Sequence, residues 1–145
     1  MTMDLRLEVV VVPVRHVDRA VAFYRDQLGF HLDVDYGPNE RFRVVQLTPA
    51  GSSCSIQLGV GLTTMPPGSV EGLTLVVDDL DLACRRLTAA GVPVEPVRHK
   101  KSVDWQGDFA DGLDPDRRDY ASFAGLRDPD GNRWTLQERG FAGRL

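Results

Sequence analysis

Val17-Asp18-Arg19-Ala20-Val21-Ala22-Phe23-Tyr24-Arg25-Asp26-Gln27-Leu28-Gly29-Phe30 is the stretch whose reading decides the fold. Apolar residues recur at Val17, Ala20, Val21, Tyr24 and Leu28, the spacing of one helical face. Arg19, Arg25 and Asp26 occupy the other side. Gly29 stands where the stripe ends and closes the helix in a left-handed turn. Upstream, Leu7-Glu8-Val9-Val10-Val11-Val12-Pro13-Val14 is rich in β-branched residues and too short for a buried helix. Downstream, Phe30-His31-Leu32-Asp33-Val34-Asp35 alternates as a half-buried strand does. The unit is strand, helix, glycine, strand.

The same unit returns at 72–97. Gly-Leu-Thr-Leu-Val-Val is followed by Asp-Asp-Leu-Asp-Leu-Ala-Cys-Arg-Arg-Leu-Thr-Ala-Ala-Gly and then by Val-Pro-Val-Glu-Pro-Val. Asp18 matches Asp81 and Ala20 matches Ala83 at one offset. The closing glycines Gly29 and Gly91 fall one residue short of it. A repeat of this length is a statement about architecture. The chain is expected to be one α+β domain over 1–145, with module one at about 5–60, a linker at 61–70 and module two at about 71–139.

A chain of 145 residues with 42% hydrophobic and 26% charged residues has the make-up of a globular domain with a proper core. Its net charge of −4 argues against nucleic acid as a partner, since binding phosphates needs a basic patch. No apolar run is long enough to span a bilayer. Met-Thr-Met-Asp-Leu-Arg-Leu-Glu has no apolar signal core, so a cytoplasmic location is expected. Cys54 and Cys84 are expected to be buried thiols rather than a disulfide.

In chain order, strands are expected at 7–14, 30–36, 41–48 and 55–60, with a helix at 17–28. Met65-Pro66-Pro67-Gly68 prevents 61–70 from continuing helix or central strand. Module two repeats the plan with a strand at 72–77, a helix at 79–90 with Asp79 as N-cap, and a strand at 92–98. A long irregular stretch at 100–117 follows. The last two strands, 120–126 and 133–138, flank the tight turn Asp128-Pro129-Asp130-Gly131-Asn132 and form a hairpin.

These residues carry a resemblance. Ala22-Phe23-Tyr24-Arg25-Asp26-Gln27-Leu28-Gly29-Phe30 resembles the first-module signature of the vicinal oxygen chelate superfamily, which includes glyoxalase I, bleomycin-resistance proteins, extradiol dioxygenases and methylmalonyl-CoA epimerases. Val76-Val77-Asp78-Asp79-Leu80-Asp81 is similar to its second-module opening. Asp128-Pro129-Asp130-Gly131-Asn132-Arg133-Trp134 resembles its closing hairpin. The resemblance spans about 5–139. It implies two βαβββ modules whose curved mixed sheets surround a shared cleft, and a homodimer that covers the sheet edges.

Most enzymes of that superfamily hold a divalent metal on four strands. The matching positions here are Val9, Gln57, Gly72 and Thr135. Val9 and Gly72 have no ligating side-chain atom, and Gln57 and Thr135 are neutral oxygen donors, weak for a transition metal. Glu8 and Glu138 are neighbours of the wrong parity, unless a bulge turns them inward. No catalytic metal and no cofactor are therefore expected. His31, Asp33 and Asp35 fall on one strand face and are read as a solvated edge. His16 reads as a surface residue, and His99 opens the irregular stretch.

Strand parity then gives the cleft face. Val9, Val11, Ser55, Gln57, Thr74, Arg133, Thr135 and Gln137 are expected to line it, with Trp105 closing over it from the long loop. An apolar floor with a few hydrogen-bonding groups is the profile of a small-molecule pocket. The expected ligand is a small cyclic or aromatic organic molecule, bound for sequestration or resistance without a metal. The alternative is a metal-dependent lyase, isomerase or dioxygenase with non-standard ligands. A third reading is an association module with no ligand. The sequence leaves catalysis itself open.

Overall fold

The computed structural model describes residues 2–102, 104 and 106–144. The chain is α+β, with two helices and two mixed sheets. It divides into two compact units, Met1–Val70 with Pro129–Asn132, and Glu71–Asp128 with Arg133–Leu145.

The first unit runs β1 (Val9–Val11), α1 (Val17–Val21), β2 (His31–Asn39), β3 (Phe42–Thr48) and β4 (Ser55–Val60). Its sheet has the order β1-β4-β3-β2, with β1 parallel to β4 and the other pairs antiparallel. The helix does not stay α to its end. Over Ala22–Gln27 it widens into a π-helical stretch, and Leu28 N–H donates to the Phe23 carbonyl at 3.0 Å. Phe23 and Tyr24 of this stretch are both buried in the core. Tyr24 stacks obliquely on Phe30, with ring centroids 5.5 Å apart. Gly29 closes the helix at φ +78°, as its position in the sequence requires. Against this helix lie the buried residues Val45, Leu47, Ile56 and Leu58 of one sheet face.

The turn Pro129–Asn132 is fastened within this unit. Asn132 is fully buried, and its Nδ2 donates to the Pro13 carbonyl at 2.8 Å while its Oδ1 accepts from Val70 N–H at 3.0 Å. Asp130 Oδ1 accepts from Arg15 N–H at 3.1 Å.

The second unit runs β5 (Leu73–Val77), α2 (Leu80–Ala89), β6 (Arg98–Lys100), β7 (Phe109–Asp111), β8 (Ser122–Arg127) and β9 (Arg133–Glu138). The order β5-β9-β8-β6-β7 repeats the first sheet with one extra edge strand, and β5 is parallel to β9. Asp79 caps α2 through an Oδ1 that accepts from Leu82 N–H at 3.1 Å. Leu80, Ala124, Leu126, Trp134 and Leu136 form the core on the helix side.

Elements of the second unit also differ from expectation. Of the expected strand 92–98 only Arg98 lies in a strand, β6; Val94 makes one isolated bridge to Leu126, because Pro93 and Pro96 remove two ladder donors. The stretch 100–117 is not wholly irregular, since Phe109–Asp111 pairs antiparallel with Arg98–Lys100. Cys54 and Cys84 are half-buried free thiols, and burial pushes the Cys84 thiol upward.

Candidate functional site

Each sheet has one face packed on its helix and one face turned away from it. Register assigns every strand residue to one or the other, because paired residues share a face and alternate residues switch.

On the first sheet the face away from the helix carries Val9 beside Ser55 and Val11 beside Gln57, through the parallel β1–β4 register. Gln57 pairs in turn with Gln46 on β3. Ser55 is buried, and Val9, Val11 and Gln57 are half-buried. The four residues expected from this unit thus lie together on one face. They are joined by residues that the sequence reading left out. Gln57 Nε2 donates to Gln46 Oε1 at 3.1 Å, Gln46 Nε2 to Ser55 Oγ at 3.4 Å, and Ser55 Oγ meets Thr48 Oγ1 at 2.6 Å. Thr48 Oγ1 donates to Asp33, whose other carboxylate oxygen lies 2.8 Å from His31 Nδ1. The Thr48 hydroxyl first and His31 second hold the Asp33 carboxyl below the usual range. The alternation Val44, Gln46, Thr48 against Val45, Leu47 was the signal that could have placed Gln46 and Thr48 here.

His31, Asp33 and Asp35 do not share one face. The β2–β3 register shifts between Leu32 and Val34, so His31 pairs with Thr48 while Asp35 pairs with the core residue Val45. Asp35 instead binds Arg43, which also reaches Asp18 on α1; the two carboxylates raise the guanidinium pKa.

On the second sheet Thr74 pairs with Thr135 and Val76 with Gln137. Thr74 and Arg133 are exposed, while Thr135 and Gln137 are half-buried. Gln137 Nε2 donates to the Tyr120 carbonyl at 3.0 Å. The face is more charged than expected. Arg133 lies 3.6 Å from Glu95, whose carboxylate covers Gly125 beside Thr135. Arg98 and Lys100 stand over the Phe109 ring at 4.7 and 4.1 Å, and Phe109 meets Phe123 edge to face. His99 pairs with the buried Ser122 and so lies on the opposite face from Phe123, with its Nδ1 2.8 Å from the Gly112 carbonyl. The expected role of Trp105 falls on a residue outside the described ones.

The four positions that would carry a metal do not fit one. Val9, Gln57, Gly72 and Thr135 supply no imidazole and no anion. The β5–β9 ladder runs without a shift to Glu138, which lies on the helix face, fully buried. It is committed there to Leu80 N–H at 2.8 Å and to Arg117 at 2.7 and 2.6 Å. Among the described residues no three His, Cys, Asp or Glu side chains converge.

Comparison with known proteins gives the arrangement its place. The model of the Glyoxalase/Bleomycin resistance protein/Dioxygenase superfamily matches residues 6–136. The chain belongs to this superfamily. Among solved structures it is similar to TnmS3, an antibiotic binding protein from Streptomyces sp. CB03234, at 31% identity and a TM-score of 0.72, covering 96% of this chain and 99% of that one. It is also similar to a glyoxalase/bleomycin resistance protein from the same Streptomyces at 32% identity and a TM-score of 0.68, covering 92% and 100%. A superfamily member from Sphaerobacter thermophilus shares the fold, with 24% identity, a TM-score of 0.72, and 95% and 100% coverage. No curated protein matches. Among the described residues no helix is long and apolar enough to cross a membrane.

Proposed function

We propose that this superfamily member binds a small cyclic or aromatic organic molecule without a metal, and holds it rather than transforming it. The observation that carries this reading is the face of the first sheet, where Ser55 and Gln57 lie between Val9, Val11 and Gln46. Hydrogen-bonding groups set in an apolar floor orient a ligand without activating it. The similarity to an antibiotic binding protein over nearly the whole length of both chains supports the same reading. Thr74, Thr135, Gln137 and Arg133, together on the second sheet, are proposed as ligand-binding residues of that unit.

An NMR screen of cyclic and aromatic compounds against the chelator-treated protein tests it. Hits are expected to shift the Gln57 signals. Gln57→Ala is expected to weaken those hits by about 1 kcal/mol, the scale of a lost neutral hydrogen bond, with the circular dichroism spectrum unchanged. Hits whose affinity ignores the substitution would contradict the assignment of this face.

A homodimer belongs to the same proposal. β2 is an edge strand of its sheet, and it exposes Val34 and Tyr36, the latter by 57%. Exposed apolar edges invite pairing with a second copy. Light scattering at micromolar concentration is expected to give twice the chain mass of 16.1 kDa. A mass equal to one chain would refute the dimer.

A further inference from the structure

The hydrogen bonds on the first sheet have a direction that one carboxylate imposes. A carboxylate accepts hydrogen bonds and donates none. Thr48 therefore gives its only hydroxyl hydrogen to Asp33. Across the 2.6 Å contact between Thr48 Oγ1 and Ser55 Oγ, Ser55 must then be the donor. Ser55 has no hydrogen left and accepts, so Gln46 turns its NH2 group toward it at 3.4 Å. The Gln46 carbonyl is left facing Gln57, which meets it with Nε2 at 3.1 Å. The orientation of both amides follows from the inventory of donors and does not have to be assumed. Every hydrogen in the series points toward Asp33, and the far end of the series is Gln57 Oε1. Among the described residues none donates to that oxygen.

Val11 pairs with Gln57, and Gly59 follows it on the same face. Both line a neighbouring groove of about 360 Å³ whose walls are mixed, with Val60, Leu62 and Met65 beside Arg15 and Thr63, a volume in the range of small-ligand pockets.

On the binding role proposed above, we propose that the ligand offers a hydroxyl or N–H donor on an apolar ring to Gln57 Oε1, and that Asp33 sets this preference through Thr48, Ser55 and Gln46 without touching the ligand. A ligand with an acceptor at the same place meets a carbonyl oxygen and is rejected. Asp33 is thus a positioning residue that determines specificity. Replacing it with an amide lets the series reverse, because Asn can donate to Thr48 as readily as accept from it.

The test uses the full chain, labelled with nitrogen-15, and two matched probes, 2-naphthol and 2-methoxynaphthalene. In the free protein, Asp33→Asn and Thr48→Val are expected to move the side-chain amide signals of Gln46 and Gln57, and Thr48→Ser is expected to restore them. Unmoved amide signals in both variants would overturn the proposal. The wild-type chain is expected to bind the naphthol roughly tenfold more tightly than its methyl ether, the scale of one buried hydrogen bond. Asp33→Asn and Thr48→Val are expected to shrink that ratio to about twofold, and Thr48→Ser to recover it. Equal binding of the two probes to the wild-type chain, with Gln57 signals shifted, would also overturn the proposal. Failure of both probes to bind would count against the small-molecule reading, while the amide signals of the free protein still decide the polarity.

Discussion

Glu138→Ala is expected to lower the unfolding free energy by about 3–4 kcal/mol, the scale of a buried ion pair left with one partner. Glu138 is 0% exposed, and its Oε2 accepts from Leu80 N–H, the first unpaired donor of α2. Arg117 grips the same carboxylate through Nε and a terminal nitrogen at 2.7 and 2.6 Å. Removing the carboxylate leaves the helix N–H without this acceptor and the guanidinium with the longer contact to Asp79 Oδ1, at 3.5 Å, in place of its bidentate partner. Urea denaturation followed by circular dichroism reads the loss, which is a large part of the 5–15 kcal/mol that holds a typical domain folded. Removing both partners as Glu138→Leu with Arg117→Leu is expected to recover much of it, since an apolar pair leaves no charge unmatched. A loss below about 1 kcal/mol for the single variant would show that the pair does not carry the end of α2.

Asn132→Ala is expected to cost about 2–3 kcal/mol, the scale of leaving buried polar groups unpaired. The side chain binds the Pro13 carbonyl and Val70 N–H, two groups far from it in sequence. Alanine leaves both without these partners. Asn132→Asp keeps the acceptor for Val70 and sets an oxygen against the Pro13 carbonyl, so it is expected to cost at least as much. Urea midpoints of the three proteins measure this. An Asn132→Asp chain as stable as wild type would mean that the bond to Pro13 contributes nothing.

These two residues show where sequence reasoning reached and where it stopped. Parity alone put Glu138 on the wrong face for a metal, and the continuous β5–β9 register agrees. Nothing in the spacing, however, reveals that Arg117 and Leu80 N–H wait for it, because those contacts join positions far apart in the chain. Asn132 reads in sequence as part of a tight turn; its burial and its bonds to Pro13 and Val70 are tertiary. The repeat, the glycine closing each helix and the Asp79 cap were legible because each is a local preference. The π-helical stretch was not, since a search at 3.6 residues per turn misses a wider one. The shift at Asp33 was hidden likewise, and with it the separation of Asp35 from His31. For the candidate site, Val9, Val11, Ser55 and Gln57 followed from alternation, whereas Gln46, Thr48 and Asp33 needed the register. Glu95 reaches the second sheet from a segment that two prolines keep out of the ladder.

Ligand binding by this protein is expected to need no metal. The purified protein is analysed for bound elements, treated with EDTA, and titrated with a compound that binds it. No stoichiometric nickel, zinc, iron or manganese is expected, with unfolding and ligand affinity unchanged by the chelator. Without metal-linked folding energy there is nothing for EDTA to remove. One equivalent of such a metal per chain, with ligand affinity or stability lost on chelation, would contradict it.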